Sequence, residues 1–357
     1  MNSEIIQQRV RAMRPELKKL KLDAMVFTGK ANVSYVTGFM GEDSLAIVSG
    51  RGCYLLTDSR YSEQAEAECP KSKIVQRKGS LVAETAKVVN RQKSIRTLGV
   101  ENTTSVESYG NLKKAVNARI KAVGGIVEPI RAIKQDAEVK LIRQAAKIAA
   151  KALENTLLGL RAGISENELA GLVDYHIRKL GAAASFETIV AFGANASRPH
   201  HRPSQRRLRK DDTILIDFGA AFEGYCCDIT RCFGFGRTTQ KYRRIYEVVK
   251  QAQAAAIDLA AEGVKMSELD RAARQVIREH NLPVFGHGTG HGLGLEVHEM
   301  PRISGKSDEK LKVGMVFTIE PGVYIPGQAG VRIEDDILIT QNGCEILTKC
   351  CNVDGWL

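Results

Sequence analysis

The chain carries one pattern twice. A long amphipathic helix, a glycine and a second, capped helix are expected from Asp136 to Gly181, and again from Thr239 onward. In the first copy Asp136 is placed to cap a helix. Its apolar positions Ile142, Ala145, Ala149, Ala152, Leu153 and Thr156 recur at spacings of three and four. Gly159 and Gly163 end that helix, and Ser165-Glu-Asn-Glu168 reads as a capping box with Ile164 and Leu169 as its hydrophobic staple. In the second copy the long helix closes at Gly263 and the next begins at Ser267-Glu-Leu-Asp270. The register then continues, with Asp217 lying 52 residues beyond Ser165 and Glu320 lying 53 beyond Ser267. Each acid ends a similar apolar strand, Thr213-Ile-Leu-Ile-Asp217 and Val316-Phe-Thr-Ile-Glu320. Each is followed by a turn and a second acid-bearing strand, Cys227-Asp228-Ile-Thr-Arg231 and Val331-Arg-Ile-Glu334-Asp-Asp336. An internal duplication of this kind puts two carboxylates from each half on strands.

Between the acids of the second copy lies Phe285-Gly-His287-Gly-Thr-Gly-His291-Gly-Leu-Gly-Leu-Glu296-Val-His298-Glu299, which holds three of the seven histidines. Glycine at this density works against a helix, at roughly 1 kcal/mol per residue relative to alanine. His287 and His291 are four apart, but Gly288-Thr289-Gly290 between them supplies neither the helix nor the glutamate of a zincin motif. The glycines do not fall as a dinucleotide fingerprint either. An extended segment with alternate side chains on one side is expected.

Upstream, residues 1–130 alternate short strands, at Ala24–Thr28, Leu45–Ser49, Tyr54–Thr57 and Leu98–Glu101, with helices at Ser62–Glu68 and near Val106–Val116. That alternation implies an α/β layer domain. Glu128-Pro129 marks a junction, giving domains 1–130 and 131–357. A length of 357 residues accommodates two cores. No apolar run approaches the ~20 residues of a membrane span. The N-terminus lacks the apolar region of a signal peptide, and the eight cysteines show no C-x-x-C pair. Reduced thiols in a cytoplasmic protein are the expectation, with no membrane partner. The net charge of +11 concentrates in Arg198–Lys210, where no aromatic residue is available for base stacking, so a solvated loop is expected there and no nucleic-acid partner.

Acids flanked by Ile, Leu, Val and Phe will be buried, and a buried carboxylate needs a compensating cation. Two divalent ions would balance Asp217, Asp228, Glu320 and Glu334, with His291 as a neutral fifth ligand. Oxygen-rich ligation with one imidazole suits Mn, with Co or Zn as alternatives. Such a pair acidifies a shared water and clamps a tetrahedral intermediate. Cys226 and Cys232 alternate with Asp228 and are expected as small buried core residues.

These stretches, together with Gly290-His291-Gly-Leu-Gly-Leu-Glu-Val-His298-Glu, Ile319-Glu320-Pro-Gly and Arg332-Ile-Glu334-Asp, resemble the metallopeptidases of the methionine aminopeptidase, prolidase and aminopeptidase P superfamily, family M24. Tyr35-Val-Thr-Gly-Phe39 and Leu56-Thr-Asp58-Ser-Arg60-Tyr61 resemble the N-terminal domain of its Xaa-Pro peptidase branch. The resemblance implies a creatinase-like α/β N-terminal domain followed by a pita-bread domain of two pseudo-symmetric halves. It implies that Asp217 binds one metal, Asp228 and Glu334 bridge both, and His291 and Glu320 bind the other. Glu320 would also move a proton to the leaving nitrogen. His200 would contact substrate near the scissile bond and His298 would stabilise the tetrahedral intermediate. His287 would lie on the substrate side, and Arg332 would support the metal shell or the substrate carboxyl end. His201 is given no role. The implied activity is Xaa-Pro aminopeptidase on peptides with proline at the second position, with a dipeptide-restricted prolidase as the alternative. A catalytically silent binding module is the remote one. The implied assembly is a homodimer.

Overall fold

Ala24–Phe27 and Thr97–Glu101 lie side by side and parallel at the centre of a six-stranded sheet. The computed structural model describes residues 3–351 and Gly355, and divides into units Met1–Arg131 and Ala132–Leu357. The first unit runs α1 (Ser3–Lys19), β1 (Ala24–Phe27), α2 (Lys30–Thr37), β2 (Leu45–Ser49), β3 (Gly52–Thr57), α3 (Ser62–Glu68), β4 (Lys73–Gln76), α4 (Leu81–Asn90), β5 (Thr97–Glu101), α5 (Val106–Ala115) and β6 (Arg119–Val123). A short helix, α6 (Glu128–Ala132), follows. The strand order is β4-β3-β2-β1-β5-β6, and β2 alone is antiparallel to its neighbours. The central strands are buried and almost wholly apolar, which is why they are legible in the sequence. The outer strands β4 and β6 carry Lys73, Gln76, Arg119 and Lys121 and are half exposed, so no clear periodicity announces them.

The second unit contains the duplication. Its first half is α7 (Asp136–Leu157), α8 (Glu166–Lys179), β7 (Ala183–Ala184), β8 (Ile189–Phe192), β9 (Thr213–Phe218), β10 (Ala220–Phe222), β11 (Tyr225–Cys226) and β12 (Ile229–Gly234). Its second is α9 (Gln240–Asp258), α10 (Met266–Glu279), β13 (Gly290–Gly292), β14 (Glu299–Ile303), β15 (Val316–Ile319), β16 (Gly322–Ile325), β17 (Ala329–Arg332), β18 (Asp335–Thr340) and β19 (Gly343–Ile346). In each half a helix pair covers an antiparallel strand pair, β9 with β12 and β15 with β18. A hairpin, β10–β11 or β16–β17, lies between the members of each pair. Each half has its own core: Ala149, Leu153 and Val173 pack with Ile214 and Ile216 in the first, and Val249, Ala252 and Leu269 with Phe317 and Ile319 in the second. The halves meet where Thr230 of β12 bridges to Glu334 just before β18.

Two expected helix starts move. Gln135, not Asp136, precedes α7, and its N–H donates to the Glu138 carboxylate at 2.9 Å, so Asp136 is already helical. In α10 Lys265 is the capping position, and Asp270 turns its carboxylate to Thr289 and Arg274 instead. The Ser165–Glu168 capping box is present as read.

The glycine run is extended only at β13, with a bulge between His291 and Gly292. Glycine is needed there for close backbone approach. A Cβ on Gly290 would lie 1.7 Å from the Thr318 carbonyl oxygen, and one on Gly292 2.0 Å from that of Met300. Gly290→Ala is expected to lower stability by about 3 kcal/mol. Gly286→Ala, which meets nothing within 4 Å, is expected to be close to neutral. Urea unfolding of the two variants checks the contrast.

Candidate metal centre

The strand pairing of each half delivers its two acids to the place where the halves meet. Asp217 is the penultimate residue of β9, opposite Thr230, and Asp228 immediately precedes β12. In the second half Glu320 immediately follows β15 and Glu334 immediately precedes β18. Asp228, His291 and Glu334 each present a ligand atom within 4.8 Å of the others. His291 Nε2 is 3.7 Å from Asp228 Oδ2 and 3.5 Å from Glu320 Oε1. Its Nδ1 is 3.2 Å from the Gly292 carbonyl, to which only an N–H can donate, so Nε2 is left as the bare nitrogen. Asp217 Oδ2 accepts from Arg332 Nη2 at 2.6 Å. The remaining oxygens Asp217 Oδ1 and Asp228 Oδ1 are buried and have no partner among the described residues.

Bringing these acids together is electrostatically costly. Burial first, and then the negative neighbours Glu334, Asp217, Asp336 and Glu320, push the Asp228 carboxyl far above the usual range. Glu334 is raised in the same way by burial and then by Glu320 and Asp217. Glu320 is pushed up to about 7, chiefly by burial, with Arg332 opposing the rise and Asp217 adding to it. Burial lowers His287 and His291 to about 4, so both rings are neutral near pH 7, as metal ligation requires. Clustered carboxylates, orphaned buried oxygens and one bare imidazole nitrogen fit divalent cations of hard or borderline character.

Several residues fix this arrangement that their sequence positions did not single out. Thr230 Oγ1 donates to Glu334 Oε2 at 2.5 Å and accepts from Arg332 Nε at 3.0 Å. It lies two residues beyond Asp228, and that alternation was the available signal. Tyr324 Oη accepts from Arg332 Nη1 at 2.8 Å and lies 3.1 Å from His287 Nε2. Because His287 Nδ1 faces the Gly288 carbonyl at 2.8 Å, Nε2 is the acceptor and the tyrosine donates to it. Arg231 Nη1 donates to the Glu334 carbonyl, and Nη2 to Asp335 Oδ1 at 2.7 Å.

The other expected site residues sit around this cluster. The exposed His298 ring lies 4.3 Å from that of His291, because the run turns back after β13. His200 is exposed on the loop after β8, and its charge disfavours protonation of His287. Arg332 is buried and reaches Asp217, Thr230 and Tyr324, which makes it a support of the cluster. Cys226 and Cys232 are buried, with burial pushing their thiols up to about 12 and about 11.

Each half also anchors its histidine-bearing loop to the helix behind it. In α8 the buried Glu166 carboxylate accepts from Phe192 N, Asn195 Nδ2, His201 Nε2, and Ser204 N and Oγ. Burial alone would raise it, but His201 and Ser204 outweigh that and hold it below the usual range. His201 therefore has a role that the sequence did not give it. In α10 Asp270 accepts from Thr289 Oγ1, while Arg274 donates to the Phe285 and His287 carbonyls at 2.7 and 2.6 Å.

The metallopeptidase family M24 matches residues 140–341, and the creatinase/prolidase N-terminal domain matches residues 9–133. This chain belongs to metallopeptidase family M24. Within M24 it stands in the Xaa-Pro peptidase branch. A protein named Xaa-Pro dipeptidase from Pyrococcus horikoshii is 36% identical over 97% of this chain and 98% of its own length. The solved Xaa-Pro dipeptidase from Bacillus anthracis superposes with a TM-score of 0.94 at 37% identity, covering 99% of this chain and all of that one. The X-Pro aminopeptidase from Thermotoga maritima gives 0.88 at 36%, covering 95% and 98%. The M24 chain thus combines a creatinase-type N-terminal domain with a pita-bread C-terminal domain, and as a member of this family it binds divalent metal.

Two predictions follow from the electrostatics of the M24 cluster. Glu166→Ala strands five donors at once and is expected to destabilise the protein by about 3 kcal/mol or more in denaturant unfolding. In metal-free protein the folded-state rise of Glu320 from 4.5 to about 7 means the folded form holds this proton more tightly. Its stabilising contribution is full below pH 4.5 and lost as pH climbs through about 7. Glu320→Gln removes that slope. The difference between the two thermal-melting profiles cancels the opposite contribution of the histidines, which both proteins share, and reports Glu320 together with the relief its loss gives Asp228 and Glu334.

Proposed function

We propose that the chain is a metal-dependent Xaa-Pro dipeptidase, a prolidase. The observation that carries the metallopeptidase reading is the burial of Asp217 Oδ1 and Asp228 Oδ1 without a partner among the described residues, at a cluster where Asp228, His291 and Glu334 each present a ligand atom within 4.8 Å of the others. The dipeptide preference is supported by likeness to the proteins named Xaa-Pro dipeptidase. It reverses the order of the two readings expected from sequence. Likeness to the T. maritima X-Pro aminopeptidase supports the second reading, action on longer peptides.

Asp217, Asp228, His291, Glu320 and Glu334 would hold two divalent ions, manganese by preference and cobalt or zinc as alternatives. When bound, the metal supplies positive charge for the substrate carbonyl and a water acidified towards neutral pH. The protein's own groups do the rest. Glu320 takes a proton at a carboxylate oxygen and hands it to the leaving nitrogen, which in an Xaa-Pro bond has no hydrogen of its own. Arg332 holds Asp217 in one orientation, leaving Oδ1 free. Tyr324 fixes the tautomer of His287. His298 and His200 line the approach of the peptide and favour charge developing on its carbonyl oxygen. The eight free thiols support a reducing, cytoplasmic setting, and we extend the proposal to a homodimer.

The test uses metal-stripped protein reconstituted with Mn, Co or Zn, and given a Xaa-Pro dipeptide and a Xaa-Pro-Xaa tripeptide. Metal-dependent cleavage of the dipeptide is expected, with Asp228→Ala slower by about a thousandfold, some 4 kcal/mol in barrier. Preference for the tripeptide would establish the aminopeptidase reading. No cleavage with any of the three metals would overturn both.

A further inference from the structure

A buried ion pair lies outside the cluster of acids. Lys134 Nζ donates to Glu299 Oε1 at 2.7 Å, and the two side chains are only 1% and 6% exposed. Lys134 belongs to the segment that leads into α7. Its N–H donates to the Gly314 carbonyl at 2.8 Å, and its neighbour Ile133 bridges to Met315. Glu299 opens β14 and directly follows His298. The pair therefore ties the leader of the first half to the turn of the second half that carries a site histidine.

That turn, residues 293–298, joins β13 to β14. Its start is fixed by packing: Leu293 is buried with Val139 and Ile142 of α7, and the Gly294 carbonyl accepts from Cys226 N at 2.8 Å. Its end is fixed by Glu299. A Cβ on Gly294 would lie 2.6 Å from Glu299 Oε1, so the carboxylate fills the back of the turn, where Lys134 holds it. Successive side chains of an extended segment point to opposite sides. With Glu299 turned inward, His298 is turned outward, and its ring lies 4.3 Å from that of His291.

Stability alone does not account for such a pair. Taking two charges out of water costs about as much as their attraction returns, and an apolar pair of similar volume would hold the same elements together as well or better. A charged hydrogen bond adds direction, because one carboxylate oxygen is held at one distance from one ammonium. Here the direction is imposed on the residue next to His298.

We propose that Lys134 and Glu299 are positioning residues for His298. They act through the turn, holding the imidazole over the metal cluster, and not on the substrate. The proposal rests on the metallopeptidase reading above, in which His298 favours charge developing on the substrate carbonyl oxygen. An interaction of that kind is realised in the transition state, so its misplacement lowers kcat and leaves KM in place.

The experiment replaces the pair by an apolar one in the full chain, Lys134→Met with Glu299→Leu. In the Mn-loaded protein acting on a Xaa-Pro dipeptide, kcat is expected to fall by about tenfold, with KM and Mn affinity each within about twofold of the parent. The melting temperature should be unchanged or higher. In a His298→Ala background the same double replacement should cost less than about twofold further, because both changes remove one effect. Nuclear magnetic resonance of the metal-stripped protein reads the placement without any reaction. The ring C–H resonances of His298, assigned by their loss in His298→Ala, should shift in the double variant, while those of His176 in α8 stay. Full kcat in the double variant, an equal loss in both backgrounds, or unmoved His298 resonances would each overturn the proposal. If the parent protein cleaves no dipeptide, the peptidase reading fails and the resonances alone decide the positioning. If the double variant does not fold, the near-isosteric Glu299→Gln, read by the same overlap and the same resonances, decides.

Discussion

Mutual repulsion among buried carboxylates governs the second unit. Asp217, Asp228, Glu320 and Glu334, with Asp336 behind them, occupy a volume in which each raises the proton affinity of its neighbours. Left without cations, such a cluster opposes folding. Arg332 is the cation the protein itself supplies, and it satisfies only one oxygen of Asp217 while also holding Thr230 and Tyr324. The oxygens left over are the ones a divalent ion would take. Arg231 and Thr230 then keep the backbone and side chain of Glu334 in place, so the acids stay oriented although they repel one another.

The duplication explains how one small region gathers so many acids. Each half needs only a strand, a hairpin and a second strand to carry two carboxylates to its edge. Bridging Thr230 to Glu334 brings the two edges together. The halves have diverged where the chemistry differs. Behind the first loop Glu166 gathers donors from 192–204, and behind the second Asp270 and Arg274 grip the glycine run. Both solutions tie a histidine-bearing loop to a helix that is buried in its own core, so the imidazoles are positioned by packing that extends well beyond the metal centre.

The first unit follows different rules. Its mixed sheet buries its central strands on both faces and places loops and helix starts at the carboxyl ends of β1 and β5. The same topology that makes the unit a stable layer leaves a crevice there. Glu101, at the end of β5, is fully committed to the backbone of Thr28 and Gly29 and to Asn32. It stiffens one wall of that crevice without reaching into it as a free charge.

The sequence by itself determined the elements and their chemistry. Period and capping residues marked α7 to α10, with the start of α7 off by one residue, where Gln135 took the capping position from Asp136, and that of α10 off by two, where Lys265 took it from Ser267. Apolar runs marked the buried strands. The paired spacing of Asp217 with Glu320 and of Asp228 with Glu334 exposed the duplication, because those residues sit at fixed offsets along regular strands. Tertiary structure decided what spacing cannot encode. That includes the bridge between the halves and the turn that returns His298 to His291. It also includes the assignment of Thr230, Tyr324 and His201 as supports, since each acts through partners distant in sequence: Thr230 lies 104 positions from Glu334 and Tyr324 37 from His287.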